Sequence, residues 1–267
     1  MCAMRTEYIY CAPILDVQDD PLKSAGPQSS HRERWMQFSD IPQTIVARVL
    51  DRRGRLHVHE DVDPARTALV VIDMQNCFLR EDMAFAYLPG ALDLAPLINK
   101  LAGELRKAGG KVFWVRNTIE ERMRTEWSTW FAMTGFDPER AARREVHMMA
   151  GAPGHEIHEA LDVHPEDEIA DKYRFSAFIQ GASDIDRRLR DQGIDTLIIA
   201  GVITNVCCES SARDAMMLNY RVIMTSDATQ AVTTEEQLAS LSIIYSNFGD
   251  VMDTEMIIKR LQSVTAT

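Results

Sequence analysis

The chain has 267 residues, 46% hydrophobic and 26% charged, a composition that fits one or two globular domains and argues against a disordered or fibrous protein. Lys and Arg number 29 against 40 Asp and Glu, a formal charge of −11, and so acidic a surface argues against nucleic acid or anionic membrane as partner, since phosphates need a basic face. Apolar runs of about five or six residues fall far short of the roughly 20 needed to span a bilayer. No basic segment followed by an apolar block opens the sequence, and five irregularly spaced cysteines make no disulfide framework, so free thiols in a reducing cytoplasm are expected.

Residues 1–65 read as an N-terminal extension, partly flexible. Residues 19–30 are rich in Pro, Gly, Ser and Gln, a loop composition. Residues 45–59 (IVARVLDRRGRLHVH) read as a hairpin turning at Arg53-Gly54, with His57 and His59 on one solvated face. Such an arm is too small for a core of its own and is expected to pack on the main domain or on a neighbouring subunit. From residue 66 the pattern becomes regular. Strand-length apolar runs occur at 68–72 (ALVVI), 111–115 (KVFWV), 168–170, 196–200 (TLIIA) and 221–224 (RVIM), with little polar alternation, as in parallel strands buried on both faces. Helical stretches alternate with them. Residues 91–107 carry Leu94, Leu97, Ile98, Leu101 and Leu105 on one face before the stop at Gly109-Gly110, and 184–192, 208–218 and 235–248 follow. This alternation predicts an α/β domain over 66–267: a three-layer, doubly wound, mostly parallel sheet.

In such a sheet, ligands bind beyond the carboxyl ends of the strands. The first strand ends at Asp73, the second at Arg116-Asn117, the third runs into Asp171-Lys172, and the fourth into Gly201-Val202-Ile203-Thr204-Asn205-Val206-Cys207-Cys208. A cysteine opening a helix is expected to have a lowered thiol pKa, from the helix dipole and free amides, and Lys172 would add positive charge. Asp73 would carry the proton. An activated nucleophile, a proton donor for a leaving nitrogen and donors for an oxyanion are what amide hydrolysis requires. Each residue alone has a plain structural reading: a cap, a solvated lysine, a packed thiol.

The segments VVIDMQN, DKYRFSAF and GVITNVCCESSARDA, followed by TSDAT, resemble the isochorismatase-like cysteine hydrolases from about residue 63 to 261. The resemblance implies that Cys207 is the nucleophile, Asp73 the acid/base and Lys172 the accompanying lysine. It also implies a cis peptide at Val202–Ile203, with the N–H groups of Ile203 and Cys207 as oxyanion donors. Cys208, about 100° further round the helix, reads as packing. Members of this family that open an enol ether lack cysteine at the nucleophile position, so Cys207 favours amide or ureide hydrolysis, nearest to ureidoacrylate and N-carbamoyl amidohydrolases. Nicotinamidases hold a divalent metal with histidines near the second strand end. Residues 115–120 (VRNTIE) contain none, so neither a metal nor another cofactor is expected. The spacing His155-Glu156-Ile157-His158 is not a zinc-helix pattern.

Ureidoacrylate hydrolases have a similar Asn after the second strand, so the resemblance implies that Asn117 hydrogen-bonds a carbonyl or ureido group, which an amide side chain can do as both donor and acceptor; a plain turn residue is the alternative. Trp127, Trp130 or Phe131 would wall the pocket while Arg116, Arg122 or Arg124 holds a carboxylate, or else the aromatics are core or subunit contact and the arginines a solvated face; Tyr173, Phe175 and Phe178 would form a lid or wall. Gln75 is grouped with the substrate contacts or as an orienter of Asp73 or its loop. The protein is expected to be a cytoplasmic homo-oligomer acting on a small molecule. Two other readings stay open: a same-fold hydrolase of an enol ether or ester, giving no amine, and a non-catalytic binding or scaffold protein.

Overall fold

The structure, a computed structural model, describes residues 36–135 and 137–265; the loop expected at 19–30 lies outside the described residues. Residues 45–59 do not form a hairpin. Gln43–Arg53 is helix α1, ended by Gly54 at φ 71°, whose N–H donates to Leu50 O at 2.8 Å. Ile45, Val46, Val49 and Leu50 satisfy helical and strand periods alike. The helix prevails because Val46 and Val49, one turn apart, are buried together, and glycine at the left-handed position is a helix stop as readily as a hairpin turn. Nor is His57 solvated: it is buried with Nδ1 2.8 Å from Asp250 Oδ1, while the His59 N–H donates to Asp250 Oδ2 at 3.2 Å. Residues 36–65 therefore form part of the compact unit Trp35–Thr267.

Six strands make one sheet: β1 (Thr67–Ile72), β2 (Lys111–Asn117), β3 (Glu168–Lys172), β4 (Thr196–Val202), β5 (Arg221–Gln230) and β6 (Asp250–Met252). Their order is β3-β2-β1-β4-β5-β6, every neighbouring pair parallel. The helices between them are α2 (Asn76–Leu79), α3 (Ala95–Lys107), α4 (Met123–Glu126), α5 (Ser128–Thr134), α6 (Pro138–His147), α7 (Ile185–Asp191), α8 (Glu209–Met217), α9 (Thr234–Ile243) and α10 (Thr254–Thr265). Strand side chains alternate between two cores. Leu69, Val71, Val112, Trp114, Ile198 and Ala200 join Ile98, Leu101 and Leu105 of α3 and Ile257 and Leu261 of α10. Ala68, Val70, Ile72, Phe113, Val115 and Ile199 join Leu189 of α7, Ala212 and Ala215 of α8 and Leu241 of α9. The result is the expected three-layer, doubly wound arrangement. Among the described residues no helix is long and apolar enough to cross a membrane.

Several elements go beyond the sequence reading. β6 is three residues long and α5 has no side-chain cap, while α6 opens on Asp137-Pro138 and α10 follows Asp253, whose Oδ1 accepts from the Met256 N–H. β5 continues to Gln230 through an irregularity: β4 advances from Ile199 to Gly201 while β5 advances from Met224 to Thr229. Nearby side chains engage part of the polar surface there, while the buried Ser226 Oγ has no partner. Gln237 Nε2 donates to Thr229 O at 3.1 Å, its Oε1 accepts from the Ala231 N–H at 2.8 Å, and Asp227 accepts from Thr254 N and Oγ1 at 2.8 and 2.7 Å. Gly201 is required where β4 runs beside Ile72 at the end of β1. Its φ is 106°, and a Cβ there would lie 2.1 Å from Ile72 O.

Candidate active site

The strand order turns outward in both directions from β1 and β4, so the crevice lies at their carboxyl ends. β1 delivers Asp73, whose φ of 56° is the left-handed region and whose N–H donates to Val115 O at 2.9 Å, turning the chain out of the sheet. Such a conformation costs a non-glycine residue about 1–3 kcal/mol and tends to mark a functional position. Register fixes what stands beside it. Ile72 pairs with Val115, and Val115 with Ala170, all in the second core, so Asn117 and its partner Lys172 two residues on point to that same side. From there the π-helical turn Thr204–Cys208 after β4 supplies Cys207.

The three side chains expected to act together do converge. Lys172 Nζ lies 2.9 Å from Asp73 Oδ2, both side chains essentially inaccessible to solvent, and it also donates to Arg174 O at 3.2 Å. Cys207 Sγ lies close enough to both groups to interact as a hydrogen-bond partner. None of these approaches to the carboxylate is well aligned, and both Asp73 oxygens lack a partner with good geometry. The peptide Val202–Ile203 is cis, at the expected position, and Ile203 O accepts from the N–H groups of Val206 and Cys208 at 3.1 and 3.2 Å.

The electrostatics correct one expectation. Burial, with Asp73 adding to it, pushes the Cys207 thiol up rather than down, and Lys172 only partly opposes them. The turn Thr204–Cys208 seats the sulfur inside the core before α8 begins, so desolvation outweighs any benefit of a helix start. Burial also raises the Asp73 carboxyl, against the pull of Lys172 and of the Cys207 hydrogen bond. For Lys172, burial pulls down, but Asp73 and Cys207 together overcome it and the ammonium is held. A thiol that burial makes harder to ionise thus stands beside the paired Asp73 and Lys172 side chains. Cys208 is fully buried, raised well above its usual value by burial, and interacts with Cys207, Asp73 and Lys172 through charge alone.

Asn117 is buried at the end of β2 with its Oδ1 unpartnered. Gln75 is completely buried, and both ends of its amide are engaged by main chain; it stands behind the site rather than facing a substrate. Trp127 stacks on Trp130 at 4.6 Å and meets the edge of Phe175 at 4.9 Å. Trp127 and Tyr173 are half-buried against the first core, Phe175 is half-buried against both, and Phe178 is buried in the second. The three arginines expected to hold a carboxylate are already paired: Arg116 with Asp171 at 2.8 Å, Arg122 with Glu120 and Glu126 at 2.6 and 2.9 Å, and Arg124 with Glu121 and Glu145 at 3.0 and 2.5 Å. Sequence reasoning weighed His155 only as a metal ligand and missed the polar scaffold around it: it is buried with Nε2 2.7 Å from Thr118 Oγ1.

Fold and site together define a doubly wound α/β protein with a carboxylate, an ammonium and a thiol gathered at the strand ends. A family model, the Isochorismatase domain, matches residues 67–256, and the chain belongs to that family of hydrolases. It is 33% identical to the ureidoacrylate amidohydrolase RutB of Pseudomonas savastanoi pv. phaseolicola, over 79% of this chain and 88% of that one. It is 33% identical to the RutB of Caulobacter segnis, over 72% and 84%. The crystal structure of a cysteine hydrolase from Pseudomonas syringae pv. phaseolicola 1448A superposes with a TM-score of 0.64 at 30% identity, over 76% of this chain and 95% of that one.

Proposed function

We propose that this protein is a metal-independent cysteine amidohydrolase that cleaves a small linear amide, a ureido or N-carbamoyl compound, through a thioester. The observation that carries the reading is the buried convergence of Asp73, Lys172 and Cys207; the similarity to two ureidoacrylate amidohydrolases supports the substrate class. Because the thiol rests protonated, its proton passes to the unsatisfied Asp73 carboxylate as Sγ attacks the carbonyl carbon. Lys172 remains an ammonium and compensates the sulfur's developing charge. The N–H groups of Ile203 and Cys207 hold the oxyanion. Asp73, whose raised pKa suits it to keep a proton briefly, gives it to the nitrogen; the C–N bond breaks and ammonia or amine leaves. Water then adds to the thioester and gives a proton to Asp73; the C–S bond breaks, the acid product leaves, and Asp73 returns the proton to the sulfur. Asn117 Oδ1 accepts from the N–H of the carbamoyl group, and Trp127, Tyr173 and Phe175 form the apolar wall. A homo-oligomer in the cytoplasm, its thiols reduced, completes the reading.

The test is a panel of ureides, N-carbamoyl amino acids and primary amides assayed for ammonia release with and without EDTA. Turnover of carbamoyl compounds that survives chelation and disappears in Asp73→Asn and in Cys207→Ser is expected. Full activity in either variant overturns the assignment.

A further inference from the structure

Gln75 makes three hydrogen bonds from within the core. Its Oε1 accepts from the Asn117 N–H at 2.7 Å, and its Nε2 donates to Asn117 O at 3.2 Å and to His155 O at 2.8 Å. A side-chain amide here does what a neighbouring strand would do, pairing with both main-chain groups of one residue. The loop that carries His155 is itself fastened to the exit of β1: Asn76 N–H donates to Glu156 O at 3.0 Å, Cys77 N–H to Gly154 O at 2.8 Å, and His158 N–H to Met74 O at 3.0 Å. The same loop returns to Thr118 through the His155 ring. Asn117 and Thr118 are thus gripped from two sides at the point where β2 ends. The residue so gripped carries a buried Oδ1 with no partner, on the same face of the sheet as Lys172.

We infer that Gln75 is the positioning residue for Asn117: it fixes the acceptor that recognises the substrate's carbamoyl N–H, without touching substrate itself. This rests on the role given to Asn117 above. A bare strand end would let that acceptor swing, and a misplacement on the order of 1 Å can cost about a hundredfold in rate. The Gln75 amide and the His155 bracket remove that freedom.

A double-mutant cycle tests this, using the panel compound with the highest kcat/KM for the full-length enzyme. Gln75→Glu keeps an acceptor for the Asn117 N–H and loses both donors; Gln75→Met loses all three bonds, and thermal midpoints are followed for each. In the parent background Gln75→Glu is expected to lower kcat/KM about 10- to 100-fold. In the Asn117→Ala background the same substitution is expected to change it less than about twofold. An equal loss in both backgrounds, or no loss in either, overturns the inference. So does failure of both Gln75 variants to fold, which makes the residue structural. Activity surviving in Cys207→Ser, or no ammonia from any panel member with the parent enzyme, refutes the underlying reading instead.

Discussion

Replacing Lys172 by methionine removes one member of a pair that is out of reach of solvent. At the observed 2.9 Å separation, and with an effective dielectric of about 20, the Coulomb attraction is about 6 kcal/mol. Burial nevertheless holds the Asp73 carboxyl above its usual value, so desolvation of that carboxylate exceeds what the ammonium returns. Without Lys172 the opposing cause is gone and Asp73 rises further. A carboxyl raised by folding retains protons that the unfolded chain has released, so its contribution to stability is complete below the unfolded pKa of about 4 and is lost as pH climbs through the folded value. Lys172→Met is therefore expected to be about 3–5 kcal/mol less stable than the parent at neutral pH. Its deficit should shrink toward pH 4, at no more than about 1.4 kcal/mol per pH unit. Urea unfolding between pH 4 and pH 8 measures both. Asp73→Asn combined with Lys172→Met leaves no buried charge and should regain most of the loss while remaining inactive. A deficit independent of pH, or a double variant no more stable than Lys172→Met, would refute the reasoning.

Three further outcomes follow from the same geometry. Cys208→Ala should retain most activity while Cys207→Ser loses it, and because the Cys207 thiol is raised, iodoacetamide at neutral pH should label it more slowly than an exposed thiol; mass spectrometry of the alkylated peptide reads this. Gly201→Ala should cost at least about 3 kcal/mol in urea unfolding, since the added Cβ meets Ile72 O at 2.1 Å in a backbone conformation that L side chains resist. Trp130→Ala should cost about 3–5 kcal/mol and raise KM, because Trp130 is buried under Trp127 with the Arg144 guanidinium 5.1 Å from its ring; unchanged stability and KM would show that the aromatic cluster supports no pocket wall.

The strand cores were legible because parallel strands buried on both faces carry runs such as ALVVI and TLIIA that few other structures need. The loop composition at strand ends, together with the segment GVITNVCC, marked Asp73, Lys172 and Cys207 as candidates. The hairpin expected at 45–59 failed for a physical reason: over six residues the strand and helix periods overlap, and which face is buried was decided by the β6 edge nearly 200 residues away, where His57 meets Asp250. The pairing of the three arginines was only partly local: Arg122 meets Glu126 and Arg124 meets Glu121 at helical spacings, whereas Arg116–Asp171 and Arg124–Glu145 form only once the chain has folded.

What the sequence alone determined was local: five of the six strands, several of the helices between them, and which reactive side chains stand at strand ends. Distances, partners and charge states were left to the tertiary structure. The thiol illustrates the division. Its place before a helix suggested a lowered pKa, but that property depends on the total surroundings, and folding puts the sulfur in a core where the loss of water outweighs a nearby ammonium. The role of Gln75 was likewise invisible along the chain, because three hydrogen bonds to residues 42 and 80 positions away exist only once the loop bearing His155 has closed over β1.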